Sequence, residues 1–291
     1  MDLPITAEDV ERAESFLAAG DIETAAGRLE ELAGSADAWA EEECADTRQR
    51  QWFAFEDAFD RLAYRRVEKD PRELVQVDAP LGRLYAALAF VRIRQQDLAA
   101  ARDALMQAVR WNPMNCAYRL DLAEIFRALG DAKEWAQLSY SVIERASDAR
   151  SAGLAYANLG QMFLDEQSAR PAAACSRLAS RLAPGEARVE KLASRLAEEA
   201  PEAAAAPEEE VLFELEATGV PAQMSAEMAI CLLMCASDAA RTGDTHRAAA
   251  FTVRARGLVG DEAARALIQL INESDAELAQ EKAAGAGTEG A

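Results

Sequence analysis

The sequence predicts an all-α chain, a superhelical solenoid of antiparallel helix pairs. Two observations point there. Hydrophobic residues make up 51% of the chain but aromatics only 6%, and alanine dominates the apolar set; alanine favours helix and lets two helices approach closely. The second observation is a turn that recurs five times with small residues at fixed distances on either side.

The turns are Gly20-Asp21, Gln96-Asp97, Gly130-Asp131, Gln167-Ser168 and Gly243-Asp244. Seven residues before each lies Ala13, Ala89, Ala123, Gly160 or Ala236, and five after four of them lies Ala25, Ala101, Ala172 or Ala248. The fifth, after Gly130, has Trp135 at that place with Ala136 beside it. Four residues before the turn come Phe16, Arg92, Phe126, Phe163 or Ala239. One small residue on each helix marks a crossing, and a bulkier neighbour fills the space beside it. Glycine ends the first helix in a left-handed conformation and aspartate caps the second.

The small markers advance 34 positions from Ala89 to Ala123 and 37 to Gly160, with gaps of 76 on either side. Each gap has room for one further, degenerate helical pair. In the first, Trp52, Phe55, Phe59 and Leu62 fall on one helical stripe, expected to pack into the core, with a partner or dimer contact as the alternative. In the second, a helix near 186–199 is followed by Ala200-Pro201 to Pro207, whose composition reads as a linker over 201–210. The expected organisation is a repeat array over 1–200, clearest over 81–185, then that linker, a C-terminal helical unit over 211–278 and a disordered tail over 279–291.

The spacing resembles the tetratricopeptide repeat, W-x-x-L-G-x-x-Y followed by A-x-x-x-F and P. Tyr85-x-x-Leu88-Ala89 with Ala101-x-x-x-Leu105 and Pro113 is one unit; Tyr156-x-x-Leu159-Gly160-x-x-Phe163 with Ala172 and Pro184 is another. Between them lies Arg119-x-x-Leu122-Ala123-x-x-Phe126. The resemblance implies a right-handed solenoid whose first helices line a concave face that binds peptides. The residues one turn either side of each marker would point into it: Ala86, Phe90 and Ile93 with Arg83 a turn earlier; Leu120, Glu124 and Arg127; Ala157, Gln161 and Leu164.

Charge and chemistry narrow the function. The formal net charge is -20, from 51 acidic and 31 basic residues, and only Lys69, Lys133, Lys191 and Lys282 are lysines. Such an acidic chain suits neither a phosphate backbone nor an anionic membrane, and favours partners of basic character. The arginine and alanine bias suggests a GC-rich bacterial genome. No signal peptide and no apolar run of about 18 residues is evident. Five scattered cysteines fit a reducing cytoplasm better than a disulfide framework. Cys231 and Cys235, four apart, suit a thiol or metal site by spacing, but their apolar surroundings predict core packing. His246 reads as a surface residue, and the runs 41–43 and 208–210 as solvated acidic helix faces. Without a phosphate loop, nucleophile elbow or zinc motif, no cofactor, metal or catalytic residue is expected. The sequence therefore predicts a non-enzymatic scaffold for a protein or peptide. A cytosolic chaperone for a secreted or assembly-prone client is the alternative, and an enzyme with a cryptic thiol site a more distant one. Whether the chain pairs with itself stays open.

Overall fold

The computed structural model describes residues 3, 5–271 and 273; the tail over 279–291 lies outside them. Helix pairs dominate. The first is α1 (Ala7–Ala18) with α2 (Ile22–Glu43). Then come α4 (Leu81–Arg94) with α5 (Leu98–Trp111), α6 (Cys116–Ala128) with α7 (Ala132–Arg145), and α8 (Ala149–Asp165) with α9 (Ala169–Leu182). Between α2 and α4 stand β1 (Arg50–Phe53), α3 (Ala58–Glu68) and β2 (Glu73–Gln76). After α9 follow α10 (Ala187–Glu199), the short α11 (Pro201–Ala205), α12 (Glu208–Ala217), and the pair α13 (Ala226–Arg241) and α14 (Thr245–Val259). Residues 261–271 are helical as well.

The turn chemistry explains the pairs. Gly20, Gly130 and Gly243 have φ of 81°, 83° and 81°, and Gln96 and Gln167 adopt the same left-handed backbone at 63° and 60°. That reversal lets the next residue's N–H reach back five positions: Asp21 to Phe16, Asp97 to Arg92, Asp131 to Phe126 and Asp244 to Ala239, each at 2.9 Å, and Ser168 to Phe163 at 2.7 Å. The four aspartates then accept from the amides of Thr24, Ala100, Glu134 and Arg247. One helix is closed and the next opened within two residues. At the crossings Ala13, Ala89, Ala123 and Gly160 are buried against Ala25, Ala101, Trp135 and Ala172 or their neighbours.

The first gap departs from expectation. Trp52 and Phe53 lie on a strand, and only Phe59 and Leu62 of the proposed stripe are helical. The Asp57 carboxylate accepts from the Asp60 amide and so fixes the start of α3. Upstream, the short β-favouring run pairs in parallel with Glu73–Gln76, Trp52 opposite Val75. Glu73 N donates to Gln49 O at 2.8 Å and Val77 N to Phe53 O at 2.7 Å. The edges of this small sheet are occupied: Arg61 donates to Leu74 O on one side, and Ala54 N to Trp111 O on the other. Phe53 and Phe55 stack at 4.8 Å between ring centroids, Tyr64 packs tilted against both at 4.6 and 5.7 Å, and all three are buried, as is Phe59.

Residues 201–210 differ too. They form α11 and open α12, with Ala203 buried and the Arg177 guanidinium donating to the carbonyls of Ala204 and Ala206. Pro201 occupies the first turn, where its missing N–H costs nothing. Glu208 and Glu210 sit in the first turn of α12 and pair with Arg181 and Arg170.

The last pair does not prolong the stack. α13 packs on α3, and Arg254 of α14 donates to Ser147 O at 3.0 Å and lies 3.7 Å from Asp57. Tyr156 Oη donates to Pro221 O at 2.7 Å, and Arg66 meets Glu227 at 3.5 Å. One apolar core therefore runs from Phe53 and Phe59 through α8 and α9 to Met228, Cys231 and Phe251. Among the described residues, no helix is long and apolar enough to cross a membrane.

Candidate partner-binding face

Among these helices α1 lies against α4, α6 against α8, and α8 against α10, while α4 approaches α6 where Gly82 faces the Tyr118 ring. Phe90, Glu124 and Gln161 each directly follow the buried small residue of their unit, so they occupy equivalent positions on one face. On α4 that face is open and apolar: Phe90 is 48% exposed and Ile93 40%, with Ala86 half-buried beside them. Arg83, a turn earlier, is held by Glu11 at 3.3 Å and by Glu14, both on α1.

Three expected face residues are core residues instead. Leu120, Ala157 and Leu164 are 6%, 0% and 7% exposed. α8 is enclosed by α6, α7, α9 and α10, so most of its circumference is covered and the side chains one turn from Gly160 pack on those neighbours. Only Gln161 of the α8 set remains half-buried.

Glu124, Arg127 and Gln161 are brought together, with Trp135, Asn158, Ala187, Arg188 and Lys191, around a cavity of about 240 Å³. Arg127 donates twice to Glu124 Oε2, at 3.0 and 2.7 Å. Arg188 Nη1 lies 3.1 Å from Glu124 Oε1 and donates to Asn158 Oδ1 at 3.1 Å. Asn158 Nδ2 donates to Ser139 Oγ, which donates to Trp135 O, tying α10, α8 and α7 together. The Arg127 guanidinium stands 5.8 Å from the Trp135 ring centre. Lys191 is exposed and makes no ion pair among the described residues. The cavity lining thus carries three cations and one carboxylate, with the Asp121 carboxyl also close enough to Arg188 and Glu124 to interact with both.

Arg188 and Lys191 were not expected at this face. The available signal was the spacing of Arg188, Lys191 and Arg195, three and then four apart on α10, which places them on neighbouring helical positions. Trp135 marked itself only as the break in the alanine pattern.

The thiols do not resemble a reactive site. Cys231 and Cys235 are buried, and burial pushes each thiol up to about 11; Cys44 also rises to about 11 and Cys116 to about 12. An activated thiol is shifted downward. Iodoacetamide at pH 7 is expected to label native protein far more slowly than urea-unfolded protein, where all five cysteines react. Rapid native labelling of Cys231 or Cys235 would contradict this assignment. His246 lies exposed in the first turn of α14.

No protein-family model matches the chain, and no curated protein matches its sequence. Among solved structures it is similar to one reported under "Functional Characterization of Pseudomonas Aeruginosa pilF", with a TM-score of 0.45 and 16% identity, covering 92% of this chain and 96% of that one. It is also similar to a tetratricopeptide repeat protein from Parabacteroides merdae, with a TM-score of 0.42 and 14% identity, covering 90% and 97%. In its own geometry the chain is a predominantly α-helical array of antiparallel helix pairs, interrupted among the described residues by one two-stranded parallel sheet.

Proposed function

We propose that this chain is a scaffold that holds a segment of a partner protein along the face formed by α4, α6, α8 and α10. The observation that carries the reading is the pairing, at equivalent positions of successive units, of an exposed apolar patch (Phe90 and Ile93) with a polar, cation-rich cavity. Phe90 and Ile93 lie three positions apart on one helix, so they form a joint apolar patch rather than a lone exposed side chain. The overall charge favours a partner that is basic elsewhere, whereas Arg127, Arg188 and Lys191 favour an acidic group at the cavity. Five unpaired, buried thiols support a reducing, cytoplasmic setting, and their raised pKa values support a non-catalytic role. The chaperone alternative would use the same face with an unfolded client.

The test is affinity capture from the native organism with wild type, Phe90→Asp and, as control, Val253→Asp on α14, where Val253 is also exposed. The expected result is a partner retained by wild type and Val253→Asp and lost with Phe90→Asp, at unchanged helical circular dichroism. Equal capture by all three would remove this face as the binding site.

A further inference from the structure

Resting on that reading, we propose that Glu124 is an internal stand-in for an acidic group of the partner, occupying the cationic cavity until the partner displaces it. The corresponding positions on α4 and α8 carry Phe90 and Gln161, so the repeat itself does not demand a carboxylate there. Glu124 is drawn between two cations from different helices, Arg127 of α6 and Arg188 of α10, and its side chain is 22% exposed.

The arrangement is incompletely satisfied. Oε2 takes both bonds from Arg127, while Oε1, although 3.1 Å from Arg188 Nη1, is buried and misaligned and accepts no hydrogen bond. Trp135 lines the same cavity, is 5% exposed, and its indole N–H has no acceptor among the described residues. Lys191, exposed in the lining of the cavity, makes no ion pair among the described residues. A half-buried ion pair with imperfect geometry recovers little of its desolvation penalty. A carboxylate entering from the partner would meet Arg188 and Lys191 together, and Glu124, near the surface, could swing into water while keeping Arg127. The internal carboxylate then sets a threshold: weakly acidic or neutral segments do not displace it, and apparent affinity is lowered by the fraction of molecules in which the cavity is occupied.

The test uses fluorescein-labelled peptides in which leucine alternates with glutamate, glutamine or lysine, read by anisotropy against wild type, Glu124→Gln, Lys191→Ala and Phe90→Asp. Glu124→Gln is expected to bind the glutamate peptide about tenfold more tightly than wild type, with the glutamine peptide unchanged. Lys191→Ala should weaken only the glutamate peptide. If Glu124→Gln binds the glutamate peptide no better than wild type, or neither binds it, or the lysine peptide binds tightest, the inference is overturned. A glutamine peptide that binds through Phe90 with no effect of Glu124→Gln would sink the stand-in and leave the scaffold reading intact. Peptide binding indifferent to Phe90→Asp would sink the scaffold reading itself.

Discussion

Gly153→Val is expected to destabilise the fold by about 3 kcal/mol, among the largest effects of any single substitution outside the turns. A Cβ at position 153 would lie 2.5 Å from Ala183 Cβ, 3.0 Å from Ala183 N and 3.2 Å from Ala179 O. Two of those atoms are backbone at the end of α9, so relief requires α8 and α9 to separate. Gly160 makes an informative contrast. There the added carbon would meet Leu192 Cδ2 at 2.5 Å and Cys175 Cβ at 3.0 Å. The leucine end can rotate, leaving mainly the cysteine contact to be relieved. Alanine at 160 should therefore cost less than alanine at 153, while Gly160→Leu should cost about 1–3 kcal/mol. For a chain of this size the valine variant should melt about 6–10 °C lower. Thermal unfolding followed by circular dichroism decides it, and equal melting of the two alanine variants would show that the close approach at Gly153 carries no special weight.

The second large effect concerns Asp60, whose replacement by asparagine is expected to stabilise the protein at alkaline pH. The carboxylate is buried under the β1–α3 junction. It accepts from Asn112 Nδ2 at 2.9 Å and from the Glu56 amide at 3.2 Å, yet makes no ion pair among the described residues; Arg254 is engaged with Asp57 nearby. Burial, then the neighbouring Asp57, push its pKa up to about 6 from 3.8. Between those values the folded chain holds the proton more tightly than the unfolded one. The group's contribution is therefore full below pH 3.8 and is lost as pH rises through 6, a difference of about 3 kcal/mol for complete titration. An asparagine keeps an oxygen to accept both bonds and never ionises. Urea unfolding should show Asp60→Asn more stable than wild type at pH 8, with the gap narrowing by about 1–2 kcal/mol by pH 5. A gap that stays constant with pH would mean that Asp60 is not the titrating group.

How much of this was legible in the residues depends on whether the cause is local. The turns were, because a reversed backbone at Gly20 or Gly130 and an aspartate cap act within a few residues and recur. The helix crossings were too, since Ala89, Ala123 and Gly160 repeat in phase. The β1–β2 ladder was not: each strand is four residues long, and its partner lies 23 positions away, so nothing near Trp52 announces Val75. The helices in 201–217 were masked by alanine and proline whose helical state depends on Arg177 and on packing against α9. On the candidate face, Phe90 and Ile93 could be placed from spacing alone because α4 has little laid over that side. Leu120, Ala157 and Leu164 could not, because only the packing of α8 against α6 and of α10 against α8 decides that their stripes are covered. The same stacking brings Arg188 and Lys191 to Glu124, across a distance in sequence that no motif spans.

The docking of α13 and α14 against α3 and α8 has a consequence for unfolding. In an open stack each unit touches only its neighbours, so the ends fray and the middle melts last. Here Arg254 joins Ser147, 107 residues away, and Asp57 beyond it, while α13 covers α3. The C-terminal end is thereby tied to the interior, and a unit cannot peel away without breaking contacts made far along the chain. Such long-range closure slows folding, but it converts a gradual, unit-by-unit loss of structure into a more cooperative one. Amide protection in α13 and α14 should then rise and fall with that of α8 and α9 rather than ahead of it.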